Sequence, residues 1–252
     1  DDKAGTPVLD GLGIRVEDLQ FKYTRQLDEY GLGVTHGRLE IKQGTVTALV
    51  GPKGGGKSTL LKILGGVILP KDWKAFHIPA HLRCLHISAE AFFIQGTLLH
   101  NLTFGVAKGD PDGKTERVKS ICSRLGLDKY IETYIDSPEP QPWTEILSQT
   151  QRHLLCLARA LIANPEILCL HKPLSAFDQI TSTRIVDVLR EFCRDKGIEQ
   201  DPDTFHLRRP RTIIMTCANT VGVKKCDHLF HVSQKDGIKK VEKEDFDPSL
   251  LE

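Results

Sequence analysis

Short apolar runs alternate along the chain with longer segments in which apolar residues recur every three or four positions. Residues 45–50 form an uninterrupted β-rich run, TVTALV, of the kind that is buried in a parallel sheet. A glycine-rich turn follows at once, and residues 60–64 then show helical spacing. Similar patterns predict further buried strands at residues 82–87, 167–170 and 212–216, and helices at residues 147–163 and 181–193. This alternation of strands and helices indicates a doubly wound α/β sheet.

The rest of the chain divides into segments of different character. Residues 1–13 are polar and contain glycine and proline, as a linker does, whereas residues 13–23 and 39–41 carry strand-like strings. Residues 96–143 are helical in pattern and punctuated by glycine and proline, which predicts an inserted helical region. Residues 196–210 are polar and predict a surface insertion.

Composition and charge mainly exclude certain classes of protein and of binding partner. Forty per cent apolar and 27 per cent charged residues are typical of a globular protein. The 34 lysines and arginines balance the 33 aspartates and glutamates, so no overall field favours nucleic acid or an anionic bilayer as a partner. The densest basic group, at Arg208, Arg209 and Arg211, is interpreted as a solvated loop.

The cysteines indicate the redox environment of the chain, and the lengths of the apolar runs indicate whether it crosses a membrane. The 7 cysteines form no C-x-x-C pair, and several lie inside apolar runs, so buried thiols in a reducing compartment are expected. The start of the sequence is too polar for a secretory signal, and no stretch approaches the roughly 18–20 apolar residues that span a bilayer. A role at a membrane is therefore expected to come through a partner chain or through a region outside this sequence.

A phosphate-binding motif stands between the run at residues 45–50 and the helix that follows. It satisfies G-x-x-x-x-G-K-[ST] in the strand–turn–helix context that the motif requires, and consists of Gly51, Pro52, Lys53, Gly54, Gly55, Gly56, Lys57, Ser58 and Thr59. Glycines let backbone N–H groups surround a phosphate, and the helix N-terminus adds partial positive charge. Lys57 is expected to reach the β- and γ-phosphates of ATP, and Ser58 to be a hydroxyl ligand of Mg²⁺. The absence of an N-K-x-D motif from the sequence disfavours GTP.

A second group of motifs lies further along the chain. The sequence reads LSQTQ at residues 147–151, LARAL at 157–161 and ILCLHKPLSAFD at 167–178. In this order and spacing the motifs resemble the nucleotide-binding domains of ABC transporters, whose LSGGQ signature and LARA helix precede a hydrophobic strand ending in DEPTSALD. The string TLLHNLTFG at residues 97–105 resembles the segment after the family's glutamine loop. The resemblance covers nearly the whole chain.

The resemblance implies a P-loop NTPase core of α/β class with a mostly parallel sheet, an N-terminal antiparallel β subdomain and an inserted helical subdomain. Residues 1–252 would form a single nucleotide-binding domain. Its parts would be the β subdomain with the P-loop core at residues 13–96, the helical subdomain with the signature at 97–150, and the rest of the core with the Walker B strand at 151–252. Tyr23 matches the family's aromatic residue that stacks on adenine.

The resemblance also implies partners. In this family two domains enclose two ATP molecules head to tail, and each presents its signature helix to the γ-phosphate of the other site. A second nucleotide-binding domain, identical or different, and the transmembrane domains of a transporter are therefore expected, with this chain at the cytosolic face of the membrane. The signature positions that would face the partner's site are Ser148, Gln149, Thr150 and Gln151, where Gln149 and Thr150 replace two glycines. Asp178 matches the inter-domain loop, where contact with the partner competes with capping of the next helix.

The other departures from the family pattern fall on positions that carry the chemistry. His171 replaces the Walker B aspartate of the metal shell, and Lys172 replaces the catalytic glutamate beside it. Ala89 replaces the loop glutamine, and Cys217 replaces the switch histidine. General bases and preorganised electrostatic groups each contribute roughly 10²- to 10⁴-fold in rate. Weak or no intrinsic hydrolysis is therefore expected, whereas ATP binding depends on the parts that are retained.

For each replaced residue, an alternative interpretation assigns it no role in the site. His171 is either part of the site or a strand-end histidine, and Lys172 either faces the γ-phosphate or is a surface lysine. Cys217 is interpreted as a small buried residue. If Lys172 and Lys53 place positive charge near the phosphates, the requirement for Mg²⁺ is expected to be weaker.

Three functions remain open at this point. The first is an ATP-binding transporter domain that hydrolyses ATP weakly or not at all. The second is a working ATPase in which a partner supplies the competent site. The third is a soluble ABC-fold protein of repair or translation, against which speak the short segment after the phosphate loop and the lack of a basic or coiled-coil insertion.

Overall fold

The computed structural model describes residues 12–19, 21–22, 31–32, 37–70 and 75–251. The strands are β1 (Ile14–Glu17), β2 (Phe21–Lys22), β3 (Gly31–Leu32), β4 (Arg38–Ile41), β5 (Val46–Val50), β6 (Phe76–His77), β7 (Cys84–Ile87), β8 (Ile167–Leu170), β9 (Thr212–Thr216), β10 (His228–Ser233) and β11 (Gly237–Val241). The helices are α1 (Lys57–Leu64), α2 (Leu98–Leu102), α3 (Thr115–Leu125), α4 (Lys129–Thr133), α5 (Trp143–Ile146), α6 (Gln149–Ala163), α7 (Gln179–Arg194) and α8 (Thr220–Lys225).

A six-stranded sheet forms the centre of the fold, in the order β11–β10–β5–β9–β8–β7. The strands from β10 to β7 in this order pair in parallel, and β11 pairs antiparallel with β10. The register places Ile87 beside Leu170 and Leu49 beside Thr216. Because parallel strands end on the same side, the segments that leave β5, β7, β8 and β9 meet at one edge. This confirms the predicted α/β class with a mostly parallel sheet.

The strand β5 is buried along its whole length because both faces of the sheet are covered. Val46, Ala48 and Val50 belong to the core that contains residues of α6 and α7, whereas Leu49 packs with residues of α1 on the opposite face. All four side chains are at most 1% exposed. The phosphate loop therefore emerges from a fully buried strand.

A separate antiparallel sheet is formed by N-terminal residues, in the order β4–β1–β6. Along β1 the residues Ile14 and Val16 are buried and Arg15 and Glu17 are exposed, the alternation expected of a strand with one face on the core. The strands β2 and β3 form a two-stranded sheet of their own. These sheets confirm the expected N-terminal antiparallel β region.

The inserted region between β7 and β8 is helical, as predicted, and contains α2, α3, α4, α5 and α6. Thr97 and Ser148 cap the N-termini of α2 and α6 through their side chains. The boundary proposed at residue 150 falls inside α6, which starts at Gln149 and runs to Ala163. This helix therefore joins the inserted region to the core.

The expectation that residues 82–87 form a fully buried strand is wrong. The strand β7 comprises four residues, Cys84–Ile87, and all four are only partly buried. It lies at the end of the sheet and pairs with β8 alone. An edge strand has a neighbour on one side only, so an apolar sequence does not ensure burial.

The interpretation of Arg211 as part of a solvated loop is also wrong. Its side chain is 6% exposed and lies 3.5 Å from a carboxylate oxygen of Glu166. Its Nε donates to Oδ1 of Asn164 at 2.8 Å. Charged side chains are buried when they are paired and hydrogen-bonded, and this arginine meets both conditions.

The burial of the cysteines agrees with the sequence analysis. Cys84 is partly buried and the other six cysteines are buried, and all seven are free thiols. Within the described ranges, no helix has the length and apolar character needed to cross a membrane.

Candidate nucleotide-binding site

The phosphate loop joins the end of β5 to the start of α1, and close contacts require glycine at several positions. Gly51, Gly54 and Gly56 have φ angles of 133°, 80° and 99°, a region that side chains rarely adopt. A Cβ atom on Gly51 would lie 2.3 Å from the carbonyl oxygen of Val232, and one on Gly55 would lie 2.6 Å from the same oxygen. The loop backbone therefore packs directly on β10.

Lys57 is the first residue of α1, and its ammonium group folds back over the loop. Nζ donates to the carbonyl oxygens of Gly51 at 2.5 Å and of Pro52 at 2.7 Å. A lysine ammonium has three protons, so one remains for a phosphate oxygen. Burial and, after it, the charge of Lys172 lower the pKa of Lys57.

The remaining residues of the motif differ in exposure. Ser58 is partly exposed in the first turn of α1, whereas Thr59 is buried. Pro52 and Lys53 are exposed. The hydroxyl of Ser58 and the ammonium of Lys53 thus belong to side chains that solvent reaches.

His171 and Lys172 follow β8 directly, at the same edge of the sheet as the phosphate loop. The backbone N–H of His171 donates to the carbonyl oxygen of Ile87 at 3.0 Å. The hydroxyl of Thr216, at the end of β9, accepts from the backbone N–H of Lys172 at 2.8 Å and lies 3.2 Å from Nδ1 of His171. Lys172 has a φ of 50°, in the left-handed region that is uncommon for residues with a side chain. The hydrogen bond to Thr216 stabilises the backbone of Lys172 in this conformation.

Positive charge collects around His171. Burial lowers the pKa of its imidazole, and the charges of Lys172, His86, Lys62 and Lys57 lower it further. Each neighbouring cation opposes protonation of the ring, because like charges repel. The described residues contain no group of three or more His, Cys, Asp or Glu side chains that could hold a metal ion. The described part of this edge is thus suited to an anion rather than to a bare cation.

Cys217 follows β9 but turns away from this edge into the core. It is 5% exposed, and its backbone N–H donates to the carbonyl oxygen of Leu49 at 3.0 Å. A Cβ atom on Gly222 would lie 2.7 Å from its Sγ atom. Burial raises the pKa of the thiol, which is therefore neutral. Cys217 is a small buried residue, as predicted.

The signature residues form the first turn of α6. The hydroxyl of Ser148 accepts from the backbone N–H of Gln151 at 3.2 Å, and Oε1 of Gln151 accepts from the backbone N–H of Ser148 at 2.9 Å. This reciprocal pair is a capping box, which fixes the start of the helix. Gln149 and Thr150 are exposed on the same turn. Glycines at these positions would leave the backbone of the turn exposed, whereas the side chains of Gln149 and Thr150 cover it.

Ala89 lies in the segment after β7, and a residue that sequence reasoning missed contacts it. Nε2 of His153, in α6, lies 2.8 Å from the carbonyl oxygen of Ala89, and Nδ1 lies 2.7 Å from that of Gln149. The ring meets Phe177 edge-on, with ring centroids 6.5 Å apart. The sequence offered one signal for this residue, a histidine in the first turns of the signature helix.

Asp178 caps α7, which was one of its two expected roles. Its carboxylate accepts from the backbone N–H of Thr181 at 2.8 Å and from the hydroxyl of Thr181 at 3.0 Å. These bonds lower the pKa of Asp178. Contact of Asp178 with a partner domain stays a prediction. Tyr23 lies outside the described residues, so the stacking of adenine on Tyr23 also stays a prediction.

Known sequences are similar to this chain. The sequence profile of the ABC transporter family matches residues 34–175, more than half of the chain. An ABC transporter of Fusarium pseudograminearum is 32% identical over 253 residues, covering 92% of this chain and 18% of that protein. The Fe(3+) ions import ATP-binding protein FbpC of Yersinia enterocolitica is 27% identical over 207 residues, covering 77% of this chain and 56% of that protein. The chain thus spans little more than half of one relative and less than a fifth of the other.

Solved structures share the fold. The structure of cbiO1 from Clostridium perfringens, part of the ABC transporter complex cbiONQ, aligns with a TM-score of 0.63 at 21% identity, covering 91% of this chain and 86% of that chain. An inward-facing metal-chelate type ABC transporter aligns with a TM-score of 0.61 at 19% identity, covering 92% and 83%. Together with the family profile, these alignments show that the chain belongs to the ABC transporter family and has the fold of its nucleotide-binding domains.

Proposed function

We propose that this chain binds ATP at its phosphate loop and acts with partner domains in a transporter, while its own site contributes little or no hydrolysis. The observation that carries the proposal is the pairing of a complete phosphate loop with a lysine, Lys172, where the family has a catalytic carboxylate. Binding and catalysis depend on different groups, and only the first set is retained.

The retained groups suit a nucleotide triphosphate. The glycines at positions 51, 54, 55 and 56 have no side chain to separate the loop backbone from a phosphate, and α1 begins directly behind the loop. Lys57 has a proton to spare after its two bonds to the loop. The cations around His171 add favourable charge for an anionic ligand.

The replaced groups do not suit hydrolysis. An ammonium group such as that of Lys172 has no lone pair with which to accept a proton from an attacking water. Ala89 has no polar side chain, and the buried thiol of Cys217 is directed at Gly222 rather than at the phosphate loop. These residues supply neither the family's carboxylate base nor its γ-phosphate contact.

The same residues affect the metal. Ser58 can offer a hydroxyl ligand to Mg²⁺ from the first turn of α1, but His171 and Ala89 remove two groups that would shape the rest of the shell. The residues present therefore fit the phosphates of ATP better than they fit a complete Mg²⁺ shell. Lys172, together with Lys53, would supply part of the neutralising charge, so ATP binding would depend only weakly on Mg²⁺.

A second nucleotide-binding domain is the proposed first partner. The capped first turn of α6 exposes Ser148, Gln149 and Thr150, and the first turn of α7 exposes both Asp178 and the apolar Ile180. Ile180 is 77% exposed and is therefore available for contact with a partner. This surface would be buried against the partner domain. The resulting pair of domains would bind transmembrane domains at the cytosolic face of a membrane.

A heterodimer with one working site is the second candidate. It is favoured by the exposed signature turn, because a partner with a complete metal shell and carboxylate would use that turn to complete its own site. In that arrangement the assembly hydrolyses ATP although this chain's own loop does not.

The test measures ATP binding and hydrolysis on the same preparation of this chain. The proposal expects saturable binding with turnover near background. Steady turnover above about 0.1 s⁻¹ that is abolished by Lys57→Ala would contradict it, because typical enzymes turn over at about 1 to 10³ s⁻¹. Lys129→Ala, an exposed lysine in α4, is the matched control and is expected to change neither quantity.

A further inference from the structure

One face of α6 holds the segment that follows β7 through backbone carbonyl groups. Nε2 of His153 contacts the carbonyl oxygen of Ala89, and a guanidinium nitrogen of Arg159 donates to that of Phe92 at 2.8 Å. The thiol of Cys156 lies 3.9 Å from the same oxygen of Phe92. Residues 153, 156 and 159 recur every three positions and so lie along one side of the helix. Residues 89–92 are therefore attached to α6 at both ends.

His153 differs from the other two contacts because both of its ring nitrogens face carbonyl oxygens. Nδ1 lies 2.7 Å from the oxygen of Gln149, and Nε2 lies 2.8 Å from the oxygen of Ala89. A neutral imidazole has one N–H and one lone pair, so it can donate to only one of these oxygens. The ring that carries two protons donates to both, and these bonds are strengthened by its charge.

We propose that His153 is a positioning residue that fastens the signature turn of α6 to the segment at Ala89 when both ring nitrogens are protonated, and that loss of one proton weakens this attachment, because a lone pair then faces one of the two oxygens. An imidazole changes its charge between about pH 5 and 8. The attachment is thus a proton-dependent connection between the helical insertion and the edge of the central sheet.

Titratable and charged groups from three segments surround the ring. His153 lines a small cavity of ≈ 20 Å³ together with Cys156 of its own helix and with His171 and Lys172 from the segment after β8. Two more charged side chains lie next to the attached residues in sequence, Arg152 on α6 and the exposed Glu90 after β7. The two carbonyl oxygens lie within hydrogen-bonding distance of the ring nitrogens.

A weaker attachment would affect two features of the surface. Gln149 lies in the first turn of α6, so the connection of the signature turn to the sheet edge would be weaker. Residues 88–92 also contribute to one wall of an apolar groove of ≈ 390 Å³, whose other side includes Cys156 and Arg159. A change in the protonation of His153 would therefore loosen the signature turn and this wall together.

The test is amide hydrogen exchange of the whole chain, followed by mass spectrometry and corrected for the intrinsic effect of pH. Peptides that cover residues 89–92 and 149–152 are expected to be at least about fivefold more protected near pH 6 than near pH 8, relative to peptides of β8. His153→Gln is expected to remove this pH dependence. The matched control His100→Gln, at an exposed histidine of α2, is expected to keep it.

A flat profile in the unaltered chain, or an unchanged profile in His153→Gln, would overturn the proposal. A second measurement does not depend on the folding of the variant. Nitrogen-15 spectra of histidine-labelled chain should show both ring nitrogens of His153 protonated at the pH where the segments are protected. A single neutral tautomer at that pH would also overturn it.

Discussion

Lys57 and Lys172 share the carboxyl edge of the central sheet, and after burial the charge of Lys172 is what lowers the pKa of Lys57. Lys172 is held there by the hydrogen bond from its backbone N–H to the hydroxyl of Thr216. Two neighbouring ammonium groups repel each other, and a polyphosphate between them converts that repulsion into attraction. The pair therefore favours an anionic ligand at the position where the family has a carboxylate.

The first prediction concerns the phosphate loop. Lys57→Ala is expected to weaken binding of an ATP analogue at least about tenfold, or about 1.4 kcal/mol, because it removes the ammonium that would contact the phosphates. Isothermal titration calorimetry measures the affinity, with Lys129→Ala as the control on α4. An unchanged affinity in Lys57→Ala would show that the nucleotide binds elsewhere.

The second prediction concerns adenine. An aromatic face contributes roughly 1 to 3 kcal/mol per stacked base, so Tyr23→Ala is expected to weaken ATP binding whereas Tyr23→Trp is expected to preserve it. Competition between ATP and inorganic triphosphate, which has no base, separates binding of the adenine from binding of the phosphates. Equal losses in both variants would assign the ring a packing role instead.

The third prediction concerns stability at the opposite end of the sheet. Glu166 is 7% exposed, and one of its carboxylate oxygens accepts from the backbone N–H of Arg83 at 3.0 Å and from its Nε at 3.1 Å. Burial raises the pKa of Glu166, but the bonds from Arg83 and the charge of Arg211 outweigh it, and the pKa is lowered overall. A lowered pKa means that Glu166 stabilises the fold above the pKa of the unfolded chain, and that this contribution is lost as pH falls through the folded value.

Glu166→Gln is therefore expected to lower the free energy of unfolding by about 2 kcal/mol near pH 7, because Arg211 loses its buried counter-ion. The difference from the unaltered chain should shrink as the pH falls through the lowered pKa of Glu166, below which both side chains are neutral. Urea denaturation near pH 7 and at a series of lower pH values measures this, with the exposed Glu139→Gln as control. A difference that does not change with pH would exclude the charge of Glu166 as its cause.

The elements that sequence alone predicted are those with strong local patterns. The apolar β5, the glycine motif and α1 are adjacent in the chain, so each supports the assignment of the next. The position of Lys172 was left open between the γ-phosphate and the surface, because the direction of a side chain after a strand cannot be read from the sequence. The resemblance to a family added order and spacing that no single motif supplies.

The elements that were missed depend on distant contacts. The strands β10 and β11 were not predicted, because His228–Ser233 and Gly237–Val241 mix polar with apolar residues, and β10 gains its place by pairing with β5. The role of His153 could not be predicted, since it depends on a carbonyl oxygen at Ala89, far away in sequence. Arg211 was misread because its partner Glu166 precedes another strand.

The account's central claim, that positive side chains replace part of the metal at an intact phosphate loop, is tested most directly by measuring ATP affinity with Mg²⁺ and with EDTA. The account predicts that EDTA weakens binding to the unaltered chain less than about tenfold, and that Lys172→Glu acquires a strong requirement for Mg²⁺. A loss of about a hundredfold or more in EDTA by the unaltered chain, about 2.7 kcal/mol, would contradict the claim.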